Sequence, residues 1–147
     1  MRLPLRIVFA VYLVVVGVVV WSPQPVDGTE GILGVVAHWV SSLFDLPLRP
    51  TFDVLEVAAN VAMFVPFGVL ALTAYRWMRV WSASLAGLAT SALIEGVQLF
   101  LPTRYSTVSD LVANTAGALL GALLVAGVRR SRRRRRAGLS AGASRPS

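Results

Sequence analysis

Long apolar stretches dominate this chain and predict helices that cross a membrane. The predicted spans are residues 7–26, 52–75, 80–101 and 111–128. Each has a length within the roughly 17 to 25 residues that a helix needs to cross the hydrocarbon of a bilayer. We interpret the first span as an uncleaved helix and not as a signal peptide, because no small-x-small cleavage site follows it.

A shorter apolar stretch, residues 31–44, is too short to span a bilayer but has helical periodicity. Its bulky apolar positions are Ile32, Val35, Val36, Trp39, Val40 and Leu43, and the positions opposite are Gly34, His38, Ser41 and Ser42. This pattern predicts an amphipathic helix that lies at the membrane interface or caps the bundle. Short hinges between the long spans predict antiparallel neighbours. The expected fold is an all-α integral membrane protein, with four transmembrane helices in an antiparallel bundle plus this interfacial helix.

Composition supports the same class, since 56% of the residues are apolar, the mean hydropathy is +0.70 and only 14% are charged. Soluble domains carry about 25% charged residues. We therefore expect one membrane domain over residues 1–128. Residues 129–147 lack apolar periodicity and are rich in Arg, Gly and Ser, so we expect a disordered tail.

All fourteen basic residues are arginines, and only Arg49 and Arg104 lie outside the segments that a four-helix path places on one side of the membrane. By the positive-inside rule, both termini are expected in the cytoplasm and the protein in the plasma membrane. The run from Arg129 to Arg136 is expected to contact anionic lipid headgroups. It lacks interleaved aromatic residues, which argues against nucleic-acid binding. With no cysteine and a single histidine, His38, no metal site or cofactor is expected.

Polar side chains recur at one depth of the three later spans and predict a ligand pocket. The candidates are Glu56, Asn60, Ser91, Glu95, Gln98, Arg104, Asp110 and Asn114. Intramembrane acids are costly and usually functional, and a buried carboxylate needs a partner, for which Arg104 is the expected cation. The amides and Ser91 are equally compatible with interhelical hydrogen bonding. Asp53 and Asp110 are expected to cap helix N-termini.

Proline and glycine positions predict how these spans pack. Pro66 removes one backbone hydrogen bond and is expected, with Gly68, to shape the second span. Gly117 and Gly121 lie on one stripe of the fourth span, which predicts close backbone approach to the second or third span.

These residues together resemble the pattern of VanZ-like membrane proteins. The matching motifs are Glu56-x3-Asn60-Val61-x2-Phe64-x-Pro66-x-Gly68, Ser91-x3-Glu95-x2-Gln98, Arg104 and Asp110-x3-Asn114-Thr115-x-Gly117-x3-Gly121, so the resemblance covers residues 52–128. It implies a small polytopic envelope protein in a family whose founding member is linked to teicoplanin-type glycopeptide resistance. It carries over no catalytic residue and gives His38 no role.

Three functions fit this pattern. We favour a non-enzymatic protein that binds a lipid-linked or cell-wall component at the outer leaflet. A membrane enzyme using Glu56 and Glu95 as an acid/base pair on a lipid-linked substrate is the first alternative. A small proton-coupled transporter is the second, disfavoured because carriers typically use repeated halves.

Overall fold

The structure, a computed structural model, describes residues 3–21, 31–99 and 108–143, and its regular elements there are all helices. They are α1 (Leu3–Trp21), α2 (Ile32–Phe44), α3 (Leu48–Ala74), α4 (Val80–Gln98) and α5 (Val108–Ala143). α1, α3, α4 and α5 are long and apolar enough to cross a membrane. This confirms the predicted fold class, with α2 as the short additional helix.

The long helices form a bundle with two chemically distinct ends. The arginine-rich end contains the start of α1, the hinge between α3 and α4, and the second half of α5. The acidic end contains the end of α1, the start of α3, the end of α4 and the start of α5. Consecutive spans are antiparallel, so α3 and α5 run parallel. These two helices make the most extensive contact in the bundle.

Three glycines, Gly68, Gly117 and Gly121, allow α3 and α5 to approach closely, and we call them the glycine seam. A Cβ atom at Gly117 would overlap the carbonyl oxygen of Val61, and one at Gly121 would overlap that of Val65. In membranes, where lipid is as apolar as the side chains, such close backbone packing is a main source of helix association. The predicted glycine stripe of the fourth span therefore lies against the second span.

An aromatic cluster attaches α1 to this pair of helices. The ring of Phe9 lies edge-on to Phe67, with centroids 5.2 Å apart, and also contacts Tyr75. The Tyr12 hydroxyl donates a hydrogen bond of 2.6 Å to the carbonyl of Met63. These contacts hold the start of α1 beside the end of α3.

α2 packs its small residues against α3 and leaves its bulky ones exposed. Gly34 and Ala37 are buried, whereas Ile32 is 87% exposed and Trp39 is 65% exposed. The sequence pattern places Gly34 on the polar face of this helix; in the structure this small residue faces the protein, because small residues permit close approach. The position of α2 at the membrane interface stays a prediction.

Several helix boundaries differ from the predicted spans, and two of the differences change the interpretation. α3 begins at Leu48, so Asp53 lies inside the helix and the prediction that it caps an N-terminus is wrong. Pro50 is tolerated there because the first turn of a helix needs no backbone donors. α5 continues through the arginine run to Ala143, so residues 129–143 are helical, contrary to the predicted disordered tail. Arginine and alanine are good helix formers, which accounts for the extension.

Candidate functional site

Four polar side chains of α4 and α5 are buried towards the acidic end, and we call them the polar cluster. They are Ser91, Glu95, Gln98 and Asn114, with exposed fractions of 0%, 9%, 6% and 3%. Ser91, Glu95 and Gln98 follow one face of α4, because residues three and four apart are neighbours on a helix. Burial of this many polar groups in an apolar bundle is costly unless hydrogen bonds compensate for it.

The centre of the polar cluster is a hydrogen bond between α4 and α5. The Asn114 side-chain amide donates to the Ser91 hydroxyl over 2.9 Å. The Asn114 carbonyl oxygen is also buried, and it accepts no hydrogen bond from the residues that the structure describes. A buried acceptor without a donor costs about 1 to 3 kcal/mol. This oxygen is thus a specific position at which a hydrogen-bond donor would be stabilised.

A second polar contact joins α3 to the first turn of α5. The Asn60 amide donates to a carboxylate oxygen of Asp110 over 2.5 Å, and both side chains are half-buried. Asp110 lies in the first turn of α5, where the helix dipole also stabilises a carboxylate. Asp110 and Asn114 are one helical turn apart, so α5 carries a polar contact to each of its two neighbours.

Gln98 extends the polar cluster to α1. Its amide donates to the carbonyl of Val20 over 3.3 Å, close to the end of α1. One turn earlier on α4, Ile94 lines an apolar groove of about 790 Å³ between α1 and α4. The groove is lined by Leu13, Val14, Val16, Gly17, Val18, Trp21, Thr90, Leu93 and Ile94. The polar cluster therefore adjoins an apolar groove.

The remaining predicted pocket residues are placed differently. Glu56 is exposed on α3, one turn before Asn60, and Arg104 lies outside the described residues. Pro66 is exposed on α3, while Gly68 is buried in the glycine seam. No group of three or more potential metal-ligating side chains occurs in the part of the chain that the structure describes.

The contribution of α1 was missed by the sequence analysis. α1 supplies the Val20 carbonyl and one wall of the apolar groove. Gly17 is the sequence feature that could have indicated this role, because it is an isolated glycine in a helix of otherwise bulky apolar residues. In the structure Gly17 lines the groove. Backbone carbonyls give no sequence signal at all.

A comparison with models of protein families shows which family this chain belongs to. The model of one family, VanZ/LLP1, matches residues 9–129. The chain belongs to the VanZ/LLP1 family. The match begins in α1, so both walls of the apolar groove lie inside the VanZ region, which is longer than the stretch on which the resemblance was recognised. No curated protein and no solved structure matches the chain significantly.

The site of this VanZ-family protein offers hydrogen bonds from several chemical types. Glu95 contributes a carboxyl group, Gln98 and Asn114 contribute amides, and Ser91 contributes a hydroxyl. Side chains of these types can form hydrogen bonds with hydroxyl and amide groups, which both donate and accept. The chemistry suits binding of a polar group that enters beside an apolar surface.

Proposed function

We propose that this VanZ-family protein binds a lipid-linked or cell-wall component at the outer leaflet of the plasma membrane and thereby contributes to glycopeptide resistance of the teicoplanin type. The observation that carries the proposal is the juxtaposition of a buried polar cluster with an apolar groove. The tie to resistance comes from the family alone.

Charge distribution supports placing the site at the outer leaflet. The five acidic residues that the structure describes are Asp45, Asp53, Glu56, Glu95 and Asp110, and each lies towards the acidic end. Arginines concentrate at the opposite end, which the positive-inside rule assigns to the cytoplasm. Under that orientation both termini are cytoplasmic, and the polar cluster lies in the outer half of the bundle.

The two parts of the site match the two parts of a lipid-linked molecule. The groove's volume of about 790 Å³ lies within the range of about 300 to 1,000 Å³ typical of ligand sites. Its lining is apolar apart from Thr90, whose hydroxyl bonds back to the Ala86 carbonyl of its own helix. A hydrocarbon chain in the groove would place an attached polar group near Gln98. The Asn114 carbonyl oxygen, which belongs to the same polar cluster, could then accept a hydrogen bond from that group.

The proposal is tested by expressing the protein in a glycopeptide-susceptible bacterium and measuring teicoplanin susceptibility together with the lipids that co-purify. We expect Gly17→Leu to reduce both resistance and lipid retention, because the new side chain projects into the groove. Val15→Leu is the matched control, since Val15 is on the same helix, is 53% exposed and does not line the groove.

Changes in the polar cluster complete the test. Glu95→Gln is expected to weaken retention of the ligand. Thr115→Val is the control, because the Thr115 hydroxyl donates to the Leu111 carbonyl of its own helix and forms no bond to another helix in the part of the chain that the structure describes. If Gly17→Leu and Glu95→Gln are both expressed normally and retain resistance and the same lipids as the controls, the binding proposal is wrong.

Catalysis is the second candidate function, because the carboxylates of Glu95 and Glu56 have unlike surroundings. Glu95 is 9% exposed, whereas Glu56 is exposed. Carboxylates in contrasting environments can divide the roles of acid and base. Turnover of a lipid-linked substrate by the wild type that is lost in Glu95→Gln, with binding retained, would favour the enzyme over the binding protein.

A further inference from the structure

A second cavity lies at the arginine-rich end, and four arginines surround it. Its volume is about 320 Å³, and we call it the arginine cavity. It is lined by Leu72, Met78, Arg79, Val80, Ala126, Arg129, Arg130 and Arg133. It therefore combines the end of α3, the hinge before α4 and the arginine run of α5.

One of these arginines holds the cavity in place. The Arg129 guanidinium donates a hydrogen bond to the carbonyl of Leu72, in the last turn of α3. The last carbonyls of a helix lack backbone partners and carry partial negative charge, so a cation is stabilised there. Arg129 thus ties α5 to α3 and brings the following arginines beside the hinge that carries Arg79.

No acidic side chain can neutralise this cluster from the adjoining segments. Residues 57–94 and 111–147 contain no aspartate or glutamate, and these ranges include every residue that lines the cavity. Like charges around one cavity repel each other unless an anion lies between them. Guanidinium groups are the preferred partners of phosphate, because their planar donors form paired hydrogen bonds with its oxygens.

The level of the cavity favours a lipid phosphate. Trp77 and Trp81, on either side of Arg79 in the chain, are 72% and 61% exposed. Exposed tryptophans gather at the membrane–water interface, where lipid headgroups lie. We propose that the arginine cavity is a phosphate-binding site that takes the headgroup of an anionic phospholipid. The site is at the opposite end of the bundle from the polar cluster, so it does not depend on the proposed function.

The test compares two triple variants that remove equal charge. The cavity variant is Arg79→Gln, Arg130→Gln and Arg133→Gln, and the control variant is Arg132→Gln, Arg134→Gln and Arg135→Gln, which do not line the cavity. Arg129 is kept in both because it bonds to α3. Each full-length protein is placed in phosphatidylcholine nanodiscs that contain a minor fraction of phosphatidylglycerol, and bound phosphatidylglycerol is measured by native mass spectrometry.

A cavity arginine that bonds a phosphate oxygen directly is expected to contribute at least the roughly fivefold that one arginine contributes close to an anionic headgroup, whereas the control arginines lie outside the cavity and contribute only the screened long-range part. We therefore expect the cavity variant to bind phosphatidylglycerol on the order of 100-fold more weakly than the wild type, and the control variant to change little. Equal weakening in both variants, or no weakening in the cavity variant, would overturn the site, since binding would then follow total charge or not involve these residues.

Two further measurements keep the result interpretable. If the cavity variant does not fold by circular dichroism, the single variants Arg130→Gln and Arg134→Gln replace the triples, and only the first is expected to weaken binding, by about fivefold. Inorganic phosphate is added as a competitor: displacement of phosphatidylglycerol supports a site that also takes free phosphate, and no displacement supports a site specific to the lipid headgroup.

Discussion

Close backbone contact at Gly121 makes a strong prediction about stability. A Cβ atom at this position would overlap the carbonyl oxygen of Val65 and would lie 3.0 Å from the Val69 backbone nitrogen. Both are backbone atoms of α3, so neither can rotate away as a side chain could. Gly121→Ala therefore requires α3 and α5 to separate locally, which also disturbs the neighbouring contacts of Gly117.

The expected loss follows from two opposing effects. Inserting a methyl group into a well-packed core costs about 1 to 3 kcal/mol, and a rigid backbone neighbour places Gly121→Ala at the upper end, about 3 kcal/mol. Alanine is a better helix former than glycine by about 1 kcal/mol. The net prediction is a loss of about 2 kcal/mol in the free energy of unfolding.

Unfolding of the purified protein in mild detergent, titrated with sodium dodecyl sulfate and followed by circular dichroism, measures this loss. Gly96→Ala and Gly127→Ala are the controls, because among the described residues no atom outside the adjoining helical backbone lies within 4 Å of a Cβ at either position. They are expected to leave stability unchanged or slightly higher. If Gly121→Ala unfolds at the same detergent fraction as Gly96→Ala, then α3 and α5 are not held together at this distance and the glycine seam is wrong.

Three further predictions follow from other contacts. Ser91→Ala and Asn114→Ala should each lower the free energy of unfolding by about 0.6 to 2 kcal/mol in the same assay. The double variant should lose less than the sum of the two single losses, and additive losses would show that the two side chains do not interact. Arg129→Gln should cost about 1 to 3 kcal/mol through its bond to Leu72, whereas Arg135→Gln should cost nothing measurable; equal effects would refute that bond. A reporter at the carboxyl terminus should be active in the cytoplasm, and periplasmic activity would overturn the four-helix orientation.

Local pattern was sufficient for the helices but not for their ends. Uninterrupted apolar stretches of spanning length predict transmembrane helices wherever they occur, because the bilayer demands internal hydrogen bonding. The start of α3 at Leu48 and the extension of α5 to Ala143 were not predicted. In the first case Pro50 does not prevent the earlier start, because the first turn of a helix needs no backbone donors. In the second case the arginines have a high helix propensity in spite of their charge.

The pairing of polar residues was only partly foreseeable. Helical spacing placed Ser91, Glu95 and Gln98 on one face of α4. Spacing within a helix does not say which neighbour that face meets. The pairings of Ser91 with Asn114 and of Asn60 with Asp110 depend on how the helices rotate and slide against each other.

By itself the sequence determined the class of the protein, its four spans, its charge asymmetry and its family, since each depends on the order and type of residues along the chain. Only the tertiary structure decided that Glu56 is exposed while Glu95 is buried, that α1 completes an apolar groove, and that Arg79 meets the α5 arginines around one cavity. Those features join residues distant in sequence. The glycine seam sets the distance between α3 and α5, and thus which side chains of these two helices meet.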